Sequence, residues 1–405
     1  MDEGRAQVRE RDERELAVTA TTFLLGLCLA LGVCVVAPTE AQTTTGLKPA
    51  LDALVKDVCQ KQIVLLGEDA NHGSGATLAI KVELVKRLVD ECSYSAVLFE
   101  SQVYDFIDLQ HTIAAGTASP AQVNAAIGGL WSNARETAPL VAFLHRQAMA
   151  GRVTLGGLDP QVGGATQRYT QQRLPAVLAA YLHDARAGAC ETELARLTNW
   201  QYNDSISYDA TTRARLRSCV TDIQVGIRQR TTSATTHEAD VMATNLLHYL
   251  EMSDGDDFNV RDRAMFENLG WHLSRLPKGA KVVVWCATVH AVKGPRVNSA
   301  EVPMGALIHA EFSERAAAVG FSALAGRFGR PGKPATTLDT APPESLEGRA
   351  LAGDDSGVRY LDRKQLASFG TVVARALNYR KPEPAAWAML LDGLIVLREE
   401  EPQRQ

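Results

Sequence analysis

Residues Ile63–Thr77 read IVLLGEDANHGSGAT, and this stretch determines how the rest of the sequence is interpreted. Its first four residues are apolar and stop abruptly at Gly67, which is typical of a short strand buried on both faces. Glu68 and His72 follow at once, and two glycines flank Ser74. The sequence therefore predicts a buried strand that carries an acid and an imidazole at its tip.

Similar apolar runs alternate with helical periodicity along the chain, which predicts an α/β fold with a mainly parallel sheet flanked by helices. A helical pattern between the first two runs predicts a right-handed β-α-β unit. The predicted strands are Ile63–Leu66, Ala96–Phe99, Val153–Leu158, Lys281–Ala287, Ala317–Ala323 and Leu394–Leu397.

Two further segments organise the chain. Helical patterns dominate from about residue 165 to residue 275, which predicts a large helical insertion or cap on a single domain that spans residues 42–405. Thr337–Gly357 is rich in turn-forming residues and predicts a loop.

The N-terminus predicts export. Charged residues precede the apolar run Phe23–Ala37, and small residues follow at Thr39 and Ala41. This order is typical of a secretory signal at residues 1–41, with cleavage after Ala41 and a periplasmic or secreted mature protein. The alternative is a retained membrane anchor, because apolar character extends upstream toward Leu16.

Five cysteines follow that segment, so at least one of them is unpaired in an oxidising compartment. Cys190 and Cys219 lie on consecutive helical patterns and predict a disulfide. Cys59 and Cys92 each end a helix just before a strand and could also meet. Cys286 lies inside an apolar run and predicts a buried small hydrophobic residue.

The charge balance argues against nucleic acid as a partner. The chain has 405 residues, and its 42 Lys and Arg residues against 47 Asp and Glu residues give a formal net charge of −5. It has no dense basic run with interleaved aromatic residues.

Polar residues follow four of the predicted strands in turn, namely Glu68, Glu100, Asp159 and His290. Ligands of open α/β sheets bind outside the carboxyl ends of the strands. The four residues therefore predict one crevice lined by acids and an imidazole. Glu100 is the hardest to explain otherwise, because a carboxylate that ends a buried strand is costly without a partner.

Most of these residues also have a structural interpretation. Glu68 could bond backbone amides in its turn, and Asp159 could cap the turn before Pro160. His290 could be a core histidine with satisfied hydrogen bonds. The glycines beside His72 favour function there, because they let a substrate approach the backbone closely.

Three residues on predicted helices could reach the same crevice. Lys81 lies in the first turns of the crossover helix, and helical side chains lean toward the N-terminus. Arg261 and Asn268 share one face of a later helix. We predict that Lys81, together with Arg261, stabilises an oxyanion and that Arg261, Asn268 and Asp159 bind substrate. The alternatives are a solvated lysine and a salt bridge between helix and sheet.

The sequence lacks the motifs of several common catalytic and binding sites. GFSAL at residues 320–324 lacks the second glycine of a nucleophile elbow. The sequence contains no G-x-x-x-x-G-K, G-x-G-x-x-G or H-E-x-x-H motif. A site of His and Glu residues that can activate water remains.

At these residues the sequence resembles the erythromycin esterase family. The matching segments span about residues 50–330 and are LGEDANHGSG, Lys81, LFES with Glu100, RDRAMFEN and WCATVH. The resemblance implies metal-independent hydrolysis of a macrocyclic lactone ester. It implies His72 as the catalytic base, Glu68 and Glu100 as its acidic partners and His290 as the second imidazole.

The sequence departs from the family pattern at three places. Three residues rather than two separate Glu68 from His72, and Lys81 stands where macrolide-cleaving members carry Arg. Ala287 and Thr288 replace a His and an Asn of the strand motif. Two alternatives stay open: a metal-dependent hydrolase with Glu68, His72, Glu100 and His290 as ligands, and an exported binding protein that has lost catalysis.

Overall fold

The strands that the structure describes lie in one large sheet and one hairpin. The computed structural model describes residues 41–162, 168–183, 185–252, 257–295 and 299–405. Its strands are β1 (Ile63–Leu66), β2 (Tyr94–Gln102), β3 (Thr154–Asp159), β4 (Lys281–Trp285), β5 (Ala316–Phe328), β6 (Thr336–Leu338), β7 (Val358–Asp362), β8 (Thr371–Ala374), β9 (Glu383–Ala386) and β10 (Gly393–Glu400).

The order of strands in the large sheet is β3-β2-β4-β1-β5-β10-β7, and β6 pairs with β5. All neighbours from β3 to β10 run parallel, whereas β7 and β6 are antiparallel to their partners. The α/β fold class with a mainly parallel sheet is confirmed. All six predicted strands are present, but the fourth ends at Trp285 rather than Ala287, because the amide of Ala287 donates to the Glu100 carboxylate.

Helices flank the sheet on both faces. They are α1 (Ala41–Val58), α2 (Gly75–Cys92), α3 (Val103–Ala114), α4 (Pro120–Ile127), α5 (Gly129–Ser132), α6 (Ala138–Met149), α7 (Arg168–Gln172), α8 (Leu174–Ala179), α9 (Ala185–Thr198), α10 (Ala210–Arg228), α11 (Ala234–Met252), α12 (Asp257–Arg275), α13 (Thr288–Ala291), α14 (Met304–Phe312), α15 (Leu346–Ala350), α16 (Arg363–Ser368) and α17 (Trp387–Leu390).

Strand β1 shows why its sequence is an unbroken apolar run. Val64 and Leu66 pack into the core beneath α1, α2 and α6, whereas Ile63 and Leu65 pack into a second core beneath α12 and α14. Both faces of the strand are therefore buried, as the run predicts. The charged residues that follow β1 then lie at the carboxyl edge of the sheet.

The segment between β3 and β4 contains helices α7–α12, and it corresponds to the predicted insertion at about residues 165–275. These helices form a third apolar core with residues of α3. The disulfide between Cys190 and Cys219 joins α9 to α10 with a Cα–Cα distance of 5.6 Å, which confirms the predicted pairing.

A second disulfide links Cys59 to Cys92 with a Cα–Cα distance of 5.2 Å. Lys281, at the start of β4, donates to the carbonyl oxygens of both half-cystines. Cys286 is a free thiol and is buried, as its apolar surroundings predict.

The predicted loop at Thr337–Gly357 is partly wrong, because it contains part of β6 and the whole of α15. Ser345 caps α15 by accepting a hydrogen bond from the amide of Gly348. Leu346 and Ala350 are buried, so tertiary packing overrides the turn-forming composition.

The predicted signal segment at residues 1–41 lies outside the described residues except for Ala41, which begins α1. No helix among the residues that the structure describes is long and apolar enough to cross a membrane.

Candidate active site

The turn after β1 holds His72 in an uncommon backbone conformation. The amide of His72 donates to the carbonyl of Asp69 at 2.9 Å, and the Asp69 carboxylate accepts from the amides of Asn71 and Tyr379. His72 has a φ of 53°, which lies in the left-handed region that non-glycine residues seldom adopt. Such strain persists only where the surroundings hold it, and it is frequent at functional sites.

The tip of β1 packs closely against α13. A Cβ at Gly67 would lie 2.5 Å from Oγ1 of Thr288, so a larger residue would push the two segments apart. The amide of Thr288 also donates to the carbonyl of Glu68 at 2.8 Å. The backbone that carries Glu68 is therefore fixed from the α13 side.

The Glu68 carboxylate is fully buried and accepts three side-chain hydrogen bonds. Its Oε1 accepts from Nδ1 of His72 at 2.9 Å and from Nε1 of Trp131. Its Oε2 accepts from Nζ of Lys81 at 2.9 Å. Burial alone would raise the pKa of Glu68, but Lys81 and His72 hold it below the usual range. Glu68 is therefore a carboxylate at neutral pH.

The position of the Lys81 ammonium differs from the prediction that it faces the substrate. Its side chain is 0% exposed, and Nζ lies 4.1 Å above the ring of Trp285. Burial lowers the pKa of Lys81, while Glu68 opposes that change. The prediction that Lys81 contacts an oxyanion is corrected, because the ammonium is enclosed as the counter-ion of Glu68.

His72 is the exposed member of this group, and we call Glu68, His72, Lys81 and Trp131 the His72 cluster. Its side chain is 13% exposed, against 1% for Glu68. The ring stands edge-on to Trp131 at a centroid distance of 5.3 Å. Nδ1 is bound to Glu68, and no described residue is hydrogen-bonded to Nε2.

A second charged group lies at the ends of β2 and β3, and we call it the Arg261 cluster. Arg261, from α12, places Nη2 2.8 Å from Oε1 of Glu100 and 2.6 Å from Oδ2 of Asp159. Oε2 of Glu100 accepts from the amide of Ala287 at 2.8 Å. The side chain of Arg261 is 19% exposed, against 3% for Glu100, so it is the most accessible side chain of the Arg261 cluster.

His290 completes the Arg261 cluster. Its Nδ1 lies 2.7 Å from Oδ2 of Asp262, and its Nε2 lies 3.3 Å from Oε1 of Glu100. Nε2 is also 3.1 Å from Nη1 of Arg261, and in a neutral imidazole it could accept a hydrogen bond from that atom. We assign the charged form, because Glu100 and Asp262 outweigh the effect of burial and raise the pKa of His290 to about 10.

The carboxylate of Glu100 is stabilised in return. Burial would raise its pKa, but His290 and Arg261 hold it well below the usual range. Burial opposes the charge of Arg261 as well, yet Asp159 and Glu100 raise its pKa further above its ordinary value. The Arg261 cluster is therefore a network of charged groups rather than a set of free acids and bases.

The two clusters lie on either side of the backbone that leaves β4. Nζ of Lys81 is 3.4 Å from the carbonyl of Cys286, and the next amide, that of Ala287, donates to Glu100. The structure thus brings all four predicted strand-end residues to one edge of the sheet. It pairs His72 with Glu68, whereas Glu100 pairs with Arg261 and His290.

Asn268 does not face a substrate, which corrects its predicted role. It is 4% exposed, donates to the carbonyl of Leu158 and exchanges hydrogen bonds with Asn245. Its amide therefore ties α12 to β3 and α11. Asp159 is equally buried, and it accepts from Arg261 and from the amide of Gln161. Asp159 fixes Arg261 and its own turn.

Sequence reasoning missed three residues of the site. Trp131 carries no motif, and only the fold brings its indole to Glu68. Asp262 directly follows Arg261 in RDRAMFEN and accepts from the amide of Met304 as well as binding His290. Asp69 lies in the quoted turn, where a short acid between glycine and asparagine is a recognisable turn signal.

The alternative of a metal site gains no support from these distances. In the part of the chain that the structure describes, no three His, Cys, Asp or Glu side chains are grouped so that they could hold a metal ion. Lys81 already neutralises Glu68, and Arg261 already neutralises Glu100.

The fold and the two clusters define an α/β protein with an acid–imidazole site at the carboxyl edge of a parallel sheet. The family model for erythromycin esterase matches residues 89–390. The chain therefore belongs to the erythromycin esterase family. The matched residues include Glu100, Asp159, Arg261 and His290 and begin after Lys81. A comparison with curated protein sequences finds no match.

Solved structures share the fold. A protein from Bacillus cereus is 17% identical at a TM-score of 0.69 over 90% of this chain and 95% of that chain. A succinoglycan biosynthesis protein is 16% identical at a TM-score of 0.66 and covers 87% of this chain and 92% of its own. A mutant of the erythromycin esterase EreC in its open conformation is 16% identical at a TM-score of 0.66. The match covers 87% of this chain and 94% of that chain.

Proposed function

We propose that this protein hydrolyses a carboxylic ester with His72 as the general base. Membership of the erythromycin esterase family supports ester hydrolysis as the reaction class. The observation that carries the proposal is the 2.9 Å contact between Nδ1 of His72 and Glu68, which leaves Nε2 as the proton acceptor.

In the proposed step, a water molecule next to Nε2 attacks the ester carbonyl carbon and gives a proton to Nε2. A carbon–oxygen bond forms, and the carbonyl oxygen becomes an oxyanion. Collapse of this intermediate breaks the ester bond, and the imidazolium returns the proton to the leaving alcohol. General-base assistance of this kind contributes roughly 10²–10⁴-fold to the rate.

Glu68 fixes the tautomer of His72 and stabilises its charged form, as an Asp does in a serine triad. Lys81 keeps Glu68 ionised, so it acts through the carboxylate rather than on the substrate. Of the two predicted oxyanion residues, we keep Arg261 alone in this role. Its side chain is partly exposed, and its Nη1 lies beside Nε2 of His290 rather than on the carboxylates that Nη2 binds. Preorganised donors of this kind are usually the largest electrostatic contribution.

We propose a macrolide lactone as the first substrate to test, because the matched family is named for erythromycin and EreC shares the fold. Lys81 in place of Arg, and Ala287 and Thr288 in place of His and Asn, are the reasons to test other esters alongside it.

The experiment incubates purified residues 42–405 with erythromycin and with p-nitrophenyl butyrate in ¹⁸O-labelled water. Mass spectrometry should find one ¹⁸O in the product carboxylate and none in the alcohol, because water attacks the carbonyl carbon. No turnover of any ester in a broad panel would favour the binding-protein alternative. Loss of activity with a chelator, and its return with one added metal, would favour the metal-dependent alternative.

We also propose that the protein is exported. The N-terminal pattern of charged, apolar and small residues supports this proposal, and so do two disulfides outside that segment. N-terminal sequencing of protein recovered from cells should give a start near Gln42. An intact Met1 on protein from the cytoplasm would contradict export.

A further inference from the structure

Residues Glu401–Gln403, which follow β10, run along the loop that carries His72. The amide of Gly75 donates to the carbonyl of Glu401 at 2.7 Å, and Ser74 forms an antiparallel bridge with Pro402. A Cβ at Gly75 would lie 2.5 Å from the carbonyl oxygen of Pro402. The two backbones are therefore in direct contact.

Gln403 places its side-chain amide between two backbone carbonyls of the site. Its Nε2 donates to the carbonyl of His72 at 2.7 Å and to the carbonyl of Leu130 at 3.5 Å. An amide nitrogen has two hydrogens, so it can serve both acceptors. Gln403 is 6% exposed, which keeps water from replacing either bond.

The two carbonyls lie next to two side chains that donate to the same oxygen of Glu68. Leu130 directly precedes Trp131, and Nε1 of Trp131 and Nδ1 of His72 both bind Oε1 of Glu68. We propose that Gln403 is a positioning residue that holds His72 and Trp131 on Glu68 and so fixes the tautomer of the catalytic base. This inference rests on the proposed function.

Two features show that the position of Gln403 is tightly constrained. It binds the carbonyl of His72, the residue whose φ of 53° needs external support. Its Oε1 is buried and has no hydrogen-bond partner among the described residues. An unpaired buried oxygen costs free energy of folding, so an apolar side chain would be expected here if the residue only filled space.

The neighbouring residues anchor this segment independently of the Gln403 side chain. The amide of Gln403 donates to the carbonyl of Gly329 at 3.0 Å, and the carbonyl of Arg404 accepts from the amide of Arg135 at 2.8 Å. Nε of Arg404 lies 2.7 Å from Oε1 of Glu136. Arg404→Ala therefore weakens the anchor without touching the carbonyls of His72 and Leu130, so it is a matched control.

The first readout separates kcat from KM. With p-nitrophenyl butyrate, Gln403→Met should lower kcat by roughly ten- to a hundredfold, because small displacements of a catalytic group cost this much. KM should change by no more than about twofold, because no ground-state contact is lost. Arg404→Ala should keep the wild-type kcat. Equal losses in both variants would overturn the proposal, because they would reflect stability alone.

The second readout needs no turnover. Nitrogen-15 NMR of the histidine rings, with the His72 signals identified from their absence in His72→Asn, should show one tautomer with the proton on Nδ1 in the wild type and in Arg404→Ala. In Gln403→Met the same signals should report a mixture of tautomers. An unchanged single tautomer in folded Gln403→Met would overturn the proposal, whether or not the protein hydrolyses any ester.

A double variant separates this proposal from the proposed function. In a His72→Asn background, Gln403→Met should cause no further loss of activity, because the positioned group is already absent. A further large loss would overturn the positioning role. If His72→Asn alone kept full activity, the proposed function would fail, and the NMR comparison would still decide the role of Gln403.

Discussion

Oε1 of Glu68 lies 2.9 Å from Nδ1 of His72, and this contact decides which imidazole nitrogen can act as a base. The ion pair with Lys81 and the hydrogen bond from His72 keep Glu68 charged despite its burial, so the carboxylate accepts a hydrogen bond from the protonated Nδ1. The other nitrogen, Nε2, is left to receive a proton from water. The catalytic proposal depends on this pairing.

Glu68→Gln should abolish most activity and destabilise the protein. The amide cannot hold the charged form of His72, and the comparable change in a serine triad costs on the order of 10⁴-fold. Lys81 would also lose its counter-ion, and breaking a buried pair costs about 3–5 kcal/mol. Steady-state kinetics and urea unfolding measure the two effects.

The matched control adds Lys81→Met to Glu68→Gln. Removal of the unpaired buried ammonium should recover part of the lost free energy of unfolding, whereas activity should stay low. Recovery of activity in the double variant would show that Glu68 serves only to neutralise Lys81.

The parallel sheet and its strand-end residues could be predicted, because both leave local patterns. The apolar run before Gly67 fixes β1, and Glu100 is conspicuous after a buried strand. The partners of these groups could not be predicted. Trp131 and Gln403 reach the His72 loop from segments far along the chain, and no local pattern records a contact between distant segments.

The predicted roles of two residues changed for the same physical reason. Helical spacing correctly directed Lys81 and Asn268 toward the sheet. Periodicity predicts which face of a helix a side chain lies on, but it does not predict how deeply that side chain is buried. Both side chains are enclosed by protein. Lys81 reaches Glu68 beneath the site, and Asn268 reaches the backbone of β3.

Arg261→Lys should lower kcat/KM by roughly 10²–10³-fold, the range seen when one oxyanion donor is removed. A lysine keeps the charge, but its single ammonium cannot reproduce the planar fork that bridges Glu100 and Asp159. Arg263→Lys is the control, because Arg263 is exposed on the same helix. Wild-type kinetics in Arg261→Lys would show that only the charge matters.

The pH dependence of stability tests the charge of His290. Its pKa is raised from 6.5 to about 10 in the folded protein, so its stabilising effect is complete below pH 6.5 and is lost as the pH rises through 10. The difference in unfolding free energy between wild type and His290→Gln should therefore shrink by about a few kcal/mol between these limits. A constant difference would mean that His290 is neutral and accepts from Arg261.

Removal of the disulfide in the helical insertion should lower stability without affecting chemistry. Cys190→Ala with Cys219→Ala opens a link across 29 residues, which corresponds to about 3–4 kcal/mol of chain entropy. Urea unfolding measures the loss, and kcat at low temperature should be unchanged. Free alkylation of both thiols in protein from an oxidising compartment would contradict the disulfide.

The most direct test of the catalytic proposal is the kcat of His72→Asn on the best ester substrate. Asn matches much of the size of the ring but cannot take a proton, so kcat should fall by roughly a hundredfold or more while KM and the unfolding midpoint stay near their wild-type values. A folded His72→Asn protein that retained the wild-type kcat would show that His72 is not the base.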